Sequence, residues 1–201
     1  MTAPFEPAPL ILASASPRRR DLLAQIGVPV AEILPADIDE TEQPRERPRA
    51  YVARVALGKA QAVAAQRGDA FVLAADTCVA AGHRILPKAE DEATARQCLG
   101  MLSGRRHRVL GGIVLISPDG RVSSRVVETT VSFKRLTDGE IEAYIRSGEW
   151  DGKAGGYAIQ GLGGRFVKQI RGSYTNVVGL SLHDTANMLE GQGAWQMEQA
   201  V

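Results

Sequence analysis

The sequence has little cysteine, no excess charge of either sign and no long apolar run. Its two cysteines, Cys78 and Cys98, lie twenty positions apart, with no C-x-x-C pair and no companion histidine at ligand spacing. That excludes a disulfide framework and gives no support to a zinc site. Lys and Arg number 24 against 23 Asp and Glu, a net charge of +1 over 201 residues. So small an excess argues against gripping duplex nucleic acid or an acidic membrane by bulk attraction, although a small anion needs only a local cluster. The apolar run near the start, PLILA, is five residues, too short for a signal peptide or a membrane span, and no basic region precedes it. The expectation is a protein of the reducing cytoplasm, with no nucleic-acid or membrane partner. There is no internal repeat and no linker long enough to divide the chain. It reads as one domain over 1–201, with about 192–201 as a loosely ordered tail.

What is present is enough for a core: 44% hydrophobic and 23% charged residues describe a globular chain. Pro9 to Ala13 reads as a short buried strand. Ser16 and Pro17 then start a helix, as N-cap and N1, with Leu22, Leu23 and Ile26 apolar and Gly27 at its end. Val28 to Leu34 reads as a second strand. Pro48 opens a long helix whose Val52, Val55, Ala56, Ala60 and Val63 recur at three-to-four spacing. Phe71 to Ala75 is a compact apolar strand running into Asp76 and Thr77, with Cys78 to Ala81 as its continuation. Lys88 falls at the start of the next helix, which Asp91 to Leu102 makes up. His107–Ile116 and Val122–Phe133 are β-rich runs joined by the hairpin signal Pro118-Asp119-Gly120. Thr137 with Glu140 three residues on forms a capping box, and Gly148 closes that helix. Tyr157–Ile159 and Arg165–Ile170 read as short strands, and His183 to Glu190 as a last helix. Early alternation of strands and helices with a central hairpin predicts an α/β fold with a mixed sheet flanked by helices.

Five segments could carry chemistry, and each has an ordinary reading beside it. SASPRRR, residues 14–20, joins a strand to a helix start, where unpaired N–H groups, two hydroxyls and guanidiniums suit a phosphate; a solvated, serine-capped basic helix start is as good a reading. Asp76 sits in the strand where open α/β sheets place ligands, or is a turn aspartate. Asp37, Asp39 and Glu40, without His or Cys, suit a hard cation such as Mg²⁺, or form a solvated loop. Lys59 and Lys88 mean nothing until a ligand is proposed. Finally, seven of the 21 glycines fall between Gly152 and Gly172. This is neither a phosphate-binding Walker loop nor GxGxxG. Such density permits close backbone approach, and Gln160 within it offers a planar amide suited to a base edge; tight turns between short strands explain it equally.

Together the segments LILASASPRRRDLL, DIDE with YVARVALGKA, LAADTCV and KAGGYAIQGLGGRFVKQIRGSYTNVVGL resemble the Maf family of nucleoside triphosphate pyrophosphatases, in the family's order and over most of the chain. The resemblance implies an elongated α/β domain akin to the inosine-triphosphatase group, homodimeric, that cuts between the α- and β-phosphates with a divalent metal, Mg or Mn. It implies Asp76 as the base acting on water, Glu40 and Asp76 as metal ligands, and Ser14, Arg18, Arg19, Lys59 and Lys88 as phosphate contacts. An ordinary aspartate titrates near about 4 and is a poor base at neutral pH, so metal assistance belongs to that expectation. Three positions separate subfamilies: Arg18, Thr77 and Gln160 match the pyrimidine (dTTP/UTP) type. The 7-methyl-GTP type instead carries tryptophan, a DQ pair and glutamate there. One departure is Pro87-Lys88-Ala89, where the family commonly has Lys-Pro. A non-catalytic nucleotide-binding regulator, linked through the family's name to septum inhibition, is the alternative from a different class. Hydrolysis of modified nucleotides is another.

Overall fold

The computed structural model describes residues 8–197. Strand β1 (Leu10–Leu12) leads into helix α1 (Pro17–Gln25), then β2 (Glu32–Ile33) and α2 (Pro48–Ala64). There follow β3 (Phe71–Ala81), β4 (Arg84–Leu86), β5 (Lys88–Ala89), α3 (Glu92–Leu102), β6 (Arg106–Ile116) and β7 (Val122–Phe133). The last third holds α4 (Asp138–Ser147), β8 (Lys153–Ala154), a 3₁₀ turn (Leu162–Phe166), β9 (Val167–Arg171), α5 (Tyr174–Val178) and α6 (Leu182–Gln192). Seven strands form a mixed sheet in the order β2-β1-β3-β6-β7-β9, with β4 also on β3. β1 runs parallel to β2 and β3, and the remaining pairs are antiparallel. β5 and β8 make a separate two-stranded ribbon. No helix among the described residues is long and apolar enough to cross a membrane.

The sheet is open at one place. β1 pairs with β3 only as far as Leu12 and Leu73, and β4 joins the same edge only from Val79 onward. Between them no strand of the described residues covers the edge of β3. Side chains alternate along a strand, so neighbours face opposite ways. Val72 and Ala74 pack on one face against Ala56, Ala60 and Val63 of α2. Leu73 and Ala75 pack on the other against Leu22 and Leu23 of α1 and Met188 and Leu189 of α6. Asp76 therefore belongs to the α2 face and Thr77 to the α1 face, and the gap lets both be reached at once.

Two adjacent glycines on β6 make this possible. Gly112 lies opposite Asp76 and Gly111 opposite Thr77. A Cβ on Gly112 would lie 2.3 Å from the carbonyl oxygen of Val52, and one on Gly111 would lie 2.1 Å from Oδ1 of Asn176. Only hydrogen at these positions lets α2 and α5 lie so close to the sheet, one on each face.

The expected α/β sheet, central hairpin, long second helix and capping box are all observed. Several expectations need correcting. The strand foreseen over Val28–Leu34 is only Glu32–Ile33, because β1 offers three residues for pairing and Pro29 has no N–H to give. Tyr157–Ile159 is not a strand: Gly155 and Gly156 turn the chain at φ 67° and 69°, and Ala158 N–H donates to the Tyr144 hydroxyl at 2.9 Å. The Arg165–Ile170 strand is a 3₁₀ turn followed by β9. Lys88 lies on β5, not at a helix start, since Asp91 caps α3 through the Thr94 N–H. As for the tail, Gln192 belongs to α6, Ala194 is buried and Trp195 donates its indole N–H to the Gly27 carbonyl at 3.2 Å. Its residues 198–201 lie outside the described residues.

Candidate active site

At the gap in the sheet lies a cavity of about 380 Å³, within the range of small-ligand sites. The nine residues to which the family resemblance gives roles all line it: Ser14, Arg18, Arg19, Glu40, Lys59, Asp76, Thr77, Lys88 and Gln160. They come from α1 and its entry, the loop before α2, α2 itself, β3, β5 and the glycine-rich segment.

On the α2 face, Lys59 is the hub. Its Nζ lies 3.0 Å from Asp76 Oδ1 and 2.9 Å from Glu40 Oε1. Lys59 and Asp76 are both buried. Glu40 Oε2 continues the chain to Lys88 Nζ at 3.4 Å, and Lys88 is half-exposed at the rim. Burial works to raise the Glu40 pKa, but the hydrogen bond from Lys59 and the charges of Lys59 and Lys88 outweigh it and hold the carboxyl below its ordinary value. Lys59 belongs to the apolar stripe of α2, four residues from Val55 and from Val63, and this stripe carries its charge into the core.

On the opposite face Arg19 occupies the same kind of position, in line with Leu22 and Leu23 of α1. Its Nε donates to the Gly179 carbonyl at 3.0 Å, Nη1 to Ser14 Oγ at 2.8 Å and Nη2 to Thr77 Oγ1 at 3.2 Å. Thr77 in turn donates to the Gly179 carbonyl at 3.3 Å. Burial lowers the Arg19 pKa, with Asp76 pulling the other way. Three of its five N–H groups are thus engaged with protein acceptors, and Arg19 ties α1, β3 and the end of α5 together. Ser14 Oγ also accepts the Ser16 N–H at 3.2 Å. The Ser16 side chain makes no cap bond, contrary to its expected role. Arg18 lines the cavity without a hydrogen-bond or ion-pair partner among the described residues, its pKa lowered by burial.

Asp37 and Asp39, which share the acidic loop, do not line the cavity; Asp39 accepts the Thr41 N–H at 2.8 Å instead. The sequence reading missed three features. Lys153 on β8 lines the cavity. The Gly179 carbonyl is held by α5, whose Asn176 amide donates to the Val109 and Val127 carbonyls. Tyr157, also lining it, shares a buried hydrogen bond of 2.8 Å with His107 Nε2. The available signals were a lysine inside the glycine block and the Gly111-Gly112 pair. Cys78 is buried, its thiol pushed up to about 12 by burial and then by Asp76, so it is no thiolate.

Among the described residues no three His, Cys, Asp or Glu side chains converge on one point. In the cavity Glu40 and Asp76 aim carboxylate oxygens at a common position, the one Lys59 Nζ fills. Two carboxylates, completed by water and phosphate oxygens, are a fitting donor set for Mg²⁺ or Mn²⁺ and a poor one for a softer metal.

Fold and cavity together define a class: an α/β protein whose sheet opens onto a cation-rich pocket containing two buried or half-buried carboxylates. The match to known proteins is more specific. The family description "Maf-like protein" fits residues 9–192, and the chain belongs to the Maf family. A dTTP/UTP pyrophosphatase of Paramagnetospirillum magneticum is 63% identical over 186 residues, 92% of this chain and 98% of that one. A dTTP/UTP pyrophosphatase of Caulobacter vibrioides is 59% identical over 184 residues, 92% and 95% of the two chains. Among solved structures, the dITP/XTP pyrophosphatase of Mycobacterium abscessus aligns over 92% of this chain and 95% of that one, at 15% identity and a TM-score of 0.45. The Ham1 protein of Staphylococcus aureus aligns over 62% and 71%, at 18% identity and a TM-score of 0.47.

Proposed function

We propose that the protein hydrolyses dTTP and UTP to the nucleoside monophosphate and pyrophosphate. The observation that carries the reaction class is the Asp76–Lys59–Glu40–Lys88 chain of alternating charges opening into a cavity that Arg18 also faces. The pyrimidine substrates come from the relatives' names.

In this reading a water oxygen attacks the α-phosphorus, the bond to the bridging oxygen breaks, and pyrophosphate leaves. Asp76 orients that water and takes its proton, and Lys59 fixes the carboxylate while keeping positive charge beside it. Arg18, Lys88 and the N-terminal end of α1 offer charge to the phosphate oxygens. Arg19 acts mainly as the strut that sets Ser14 and Thr77, with two N–H groups left over for phosphate. Glu40 and Asp76 are the residues that would hold a divalent ion, which would supply further positive charge against the triphosphate. Gln160, exposed at the rim of the cavity, presents both a donor and an acceptor, as a uracil or thymine edge does. The same reading takes the enzyme as a cytoplasmic homodimer, which light scattering checks for the assembly.

The test is a panel of nucleoside triphosphates with Mg²⁺, Mn²⁺ or EDTA, scoring pyrophosphate against orthophosphate. Pyrophosphate from dTTP and UTP, lost in Asp76→Asn while the protein stays folded, is the expected result. Orthophosphate as first product refutes α–β cleavage, and binding without turnover favours a regulatory role. Gln160→Glu should move preference away from dTTP and UTP; an unchanged substrate profile removes Gln160 from base reading.

A further inference from the structure

The charges in the cavity do not balance, and the imbalance is localised. Five cations line it against two carboxylates, Glu40 and Asp76. Both carboxylates are already bound by lysine: Lys59 bridges them and Lys88 holds the outer oxygen of Glu40. Arg19 is committed to three neutral acceptors. What remains is Arg18 on α1 and Lys153 on β8, two segments far apart in the chain that the fold brings to one cavity. Neither makes an ion pair among the described residues, and the Lys153 ammonium donates only to the Asp151 carbonyl, at 2.7 Å.

Two cations that line one cavity, each partly withdrawn from water and neither in an ion pair, repel each other and lose some hydration. Burial lowers the Lys153 pKa, and the nearby Arg18 charge lowers it further, against weaker opposing pulls from Asp151 and Glu149. Burial likewise lowers that of Arg18. An anion placed between them would relieve the repulsion and satisfy the free N–H groups together.

We infer that Arg18 and Lys153 form an anion subsite in the cavity wall and that Lys153 is a further phosphate-binding residue, taking a phosphate group of the substrate. The inference deepens, and rests on, the pyrophosphatase reading of this cavity. It also gives the glycine-rich segment a second role: Lys153 and Gln160 belong to one stretch, so a single loop meets both ends of a nucleotide.

The test uses inorganic pyrophosphate, which carries the phosphate chemistry without the base, and thymidine, which carries the base without phosphate, each as an inhibitor of dTTP turnover by the whole enzyme. Lys153→Met keeps the length of the side chain and removes its charge. It should weaken pyrophosphate inhibition by about 10- to 100-fold, the size of one charge-assisted hydrogen bond, and leave thymidine inhibition unchanged. Lys153→Arg should restore most of the pyrophosphate affinity, which a merely structural defect would not allow. Unchanged pyrophosphate inhibition in Lys153→Met, or a loss confined to thymidine, overturns the assignment. The pyrophosphatase reading fails separately, if the wild-type protein does not release pyrophosphate from dTTP; pyrophosphate binding, measured directly by calorimetry, then still tests the subsite. If Lys153→Met does not fold, Lys153→Arg and Lys153→Gln decide by the same comparison.

Discussion

Gly112→Ala tests whether the close approach of α2 to the sheet is what aligns Lys59 with Asp76. A Cβ at Gly112 would meet the Val52 carbonyl oxygen at 2.3 Å, its carbon at 2.8 Å and the Ala56 Cβ at 3.2 Å. Ordinary carbon-to-oxygen contact begins near about 3.3 Å, so helix or strand must yield by about 1 Å. The obstacle is helix backbone, which cannot rotate aside. Overpacking of this kind costs about 1–3 kcal/mol, or roughly 2–12 °C in Tm for a chain of this size. Lys59 lies on the same rigid helix as Val52 and directly over the residue that pairs with Gly112. A shift of about 1 Å there should lower kcat by up to ~100-fold at a temperature where the variant is fully folded. The assay is kcat on dTTP beside a thermal melt, with Gly100→Ala as the control. Gly100 sits in α3 with nothing within 4 Å of a Cβ, so alanine there should stabilise by about 0.4–1 kcal/mol and leave kcat alone. A Gly112→Ala protein with wild-type kcat and Tm would show that this contact does not set the Lys59–Asp76 geometry.

The same hub predicts the outcome of Lys59→Met. Removing the ammonium leaves Asp76 and Glu40 facing each other, one of them buried, and should cost about 3–5 kcal/mol at neutral pH together with turnover; urea unfolding near that of wild type would refute the bridge. His107 predicts a pH dependence. Burial pushes its pKa down from 6.5 to about 4, so the folded protein holds it neutral while the unfolded chain protonates it first. Its contribution to stability is therefore complete above about pH 6.5 and is lost as pH falls from there towards about 4, by about 3 kcal/mol in all. Urea titrations at pH 4–7 should show that slope in the wild type and a flatter one in His107→Gln; equal slopes would remove His107 as the cause.

The parts of the fold legible in the sequence were those written in local pattern. The 3.6-residue spacing of Val52, Val55, Ala56, Ala60 and Val63 gave α2, Thr137 with Glu140 gave the start of α4, and Pro118-Asp119-Gly120 gave the hairpin. The failures were elements whose existence depends on a distant neighbour. β2 is cut short by the length of β1, β8 exists only because β5 lies beside it, and α5 is five residues held by Asn176 against β6. The candidate site divides the same way. The family resemblance pointed to nine residues that line the cavity, but not to Lys153 or Tyr157, nor to the division of labour among the cations. That division was latent in the helix stripes themselves. Lys59 falls within the apolar run of α2 and Arg19 within that of α1, where a charge is costly unless the fold supplies partners. A charged residue at a core-facing helical position predicts a paired group, and Asp76 and Glu40 are that group for Lys59. For Arg19 the partners are a carbonyl and two hydroxyls, none of which charge patterning could reveal. Among the described residues neither Arg18 nor Lys153 makes an ion pair, and the proposed anion is the partner that would join them.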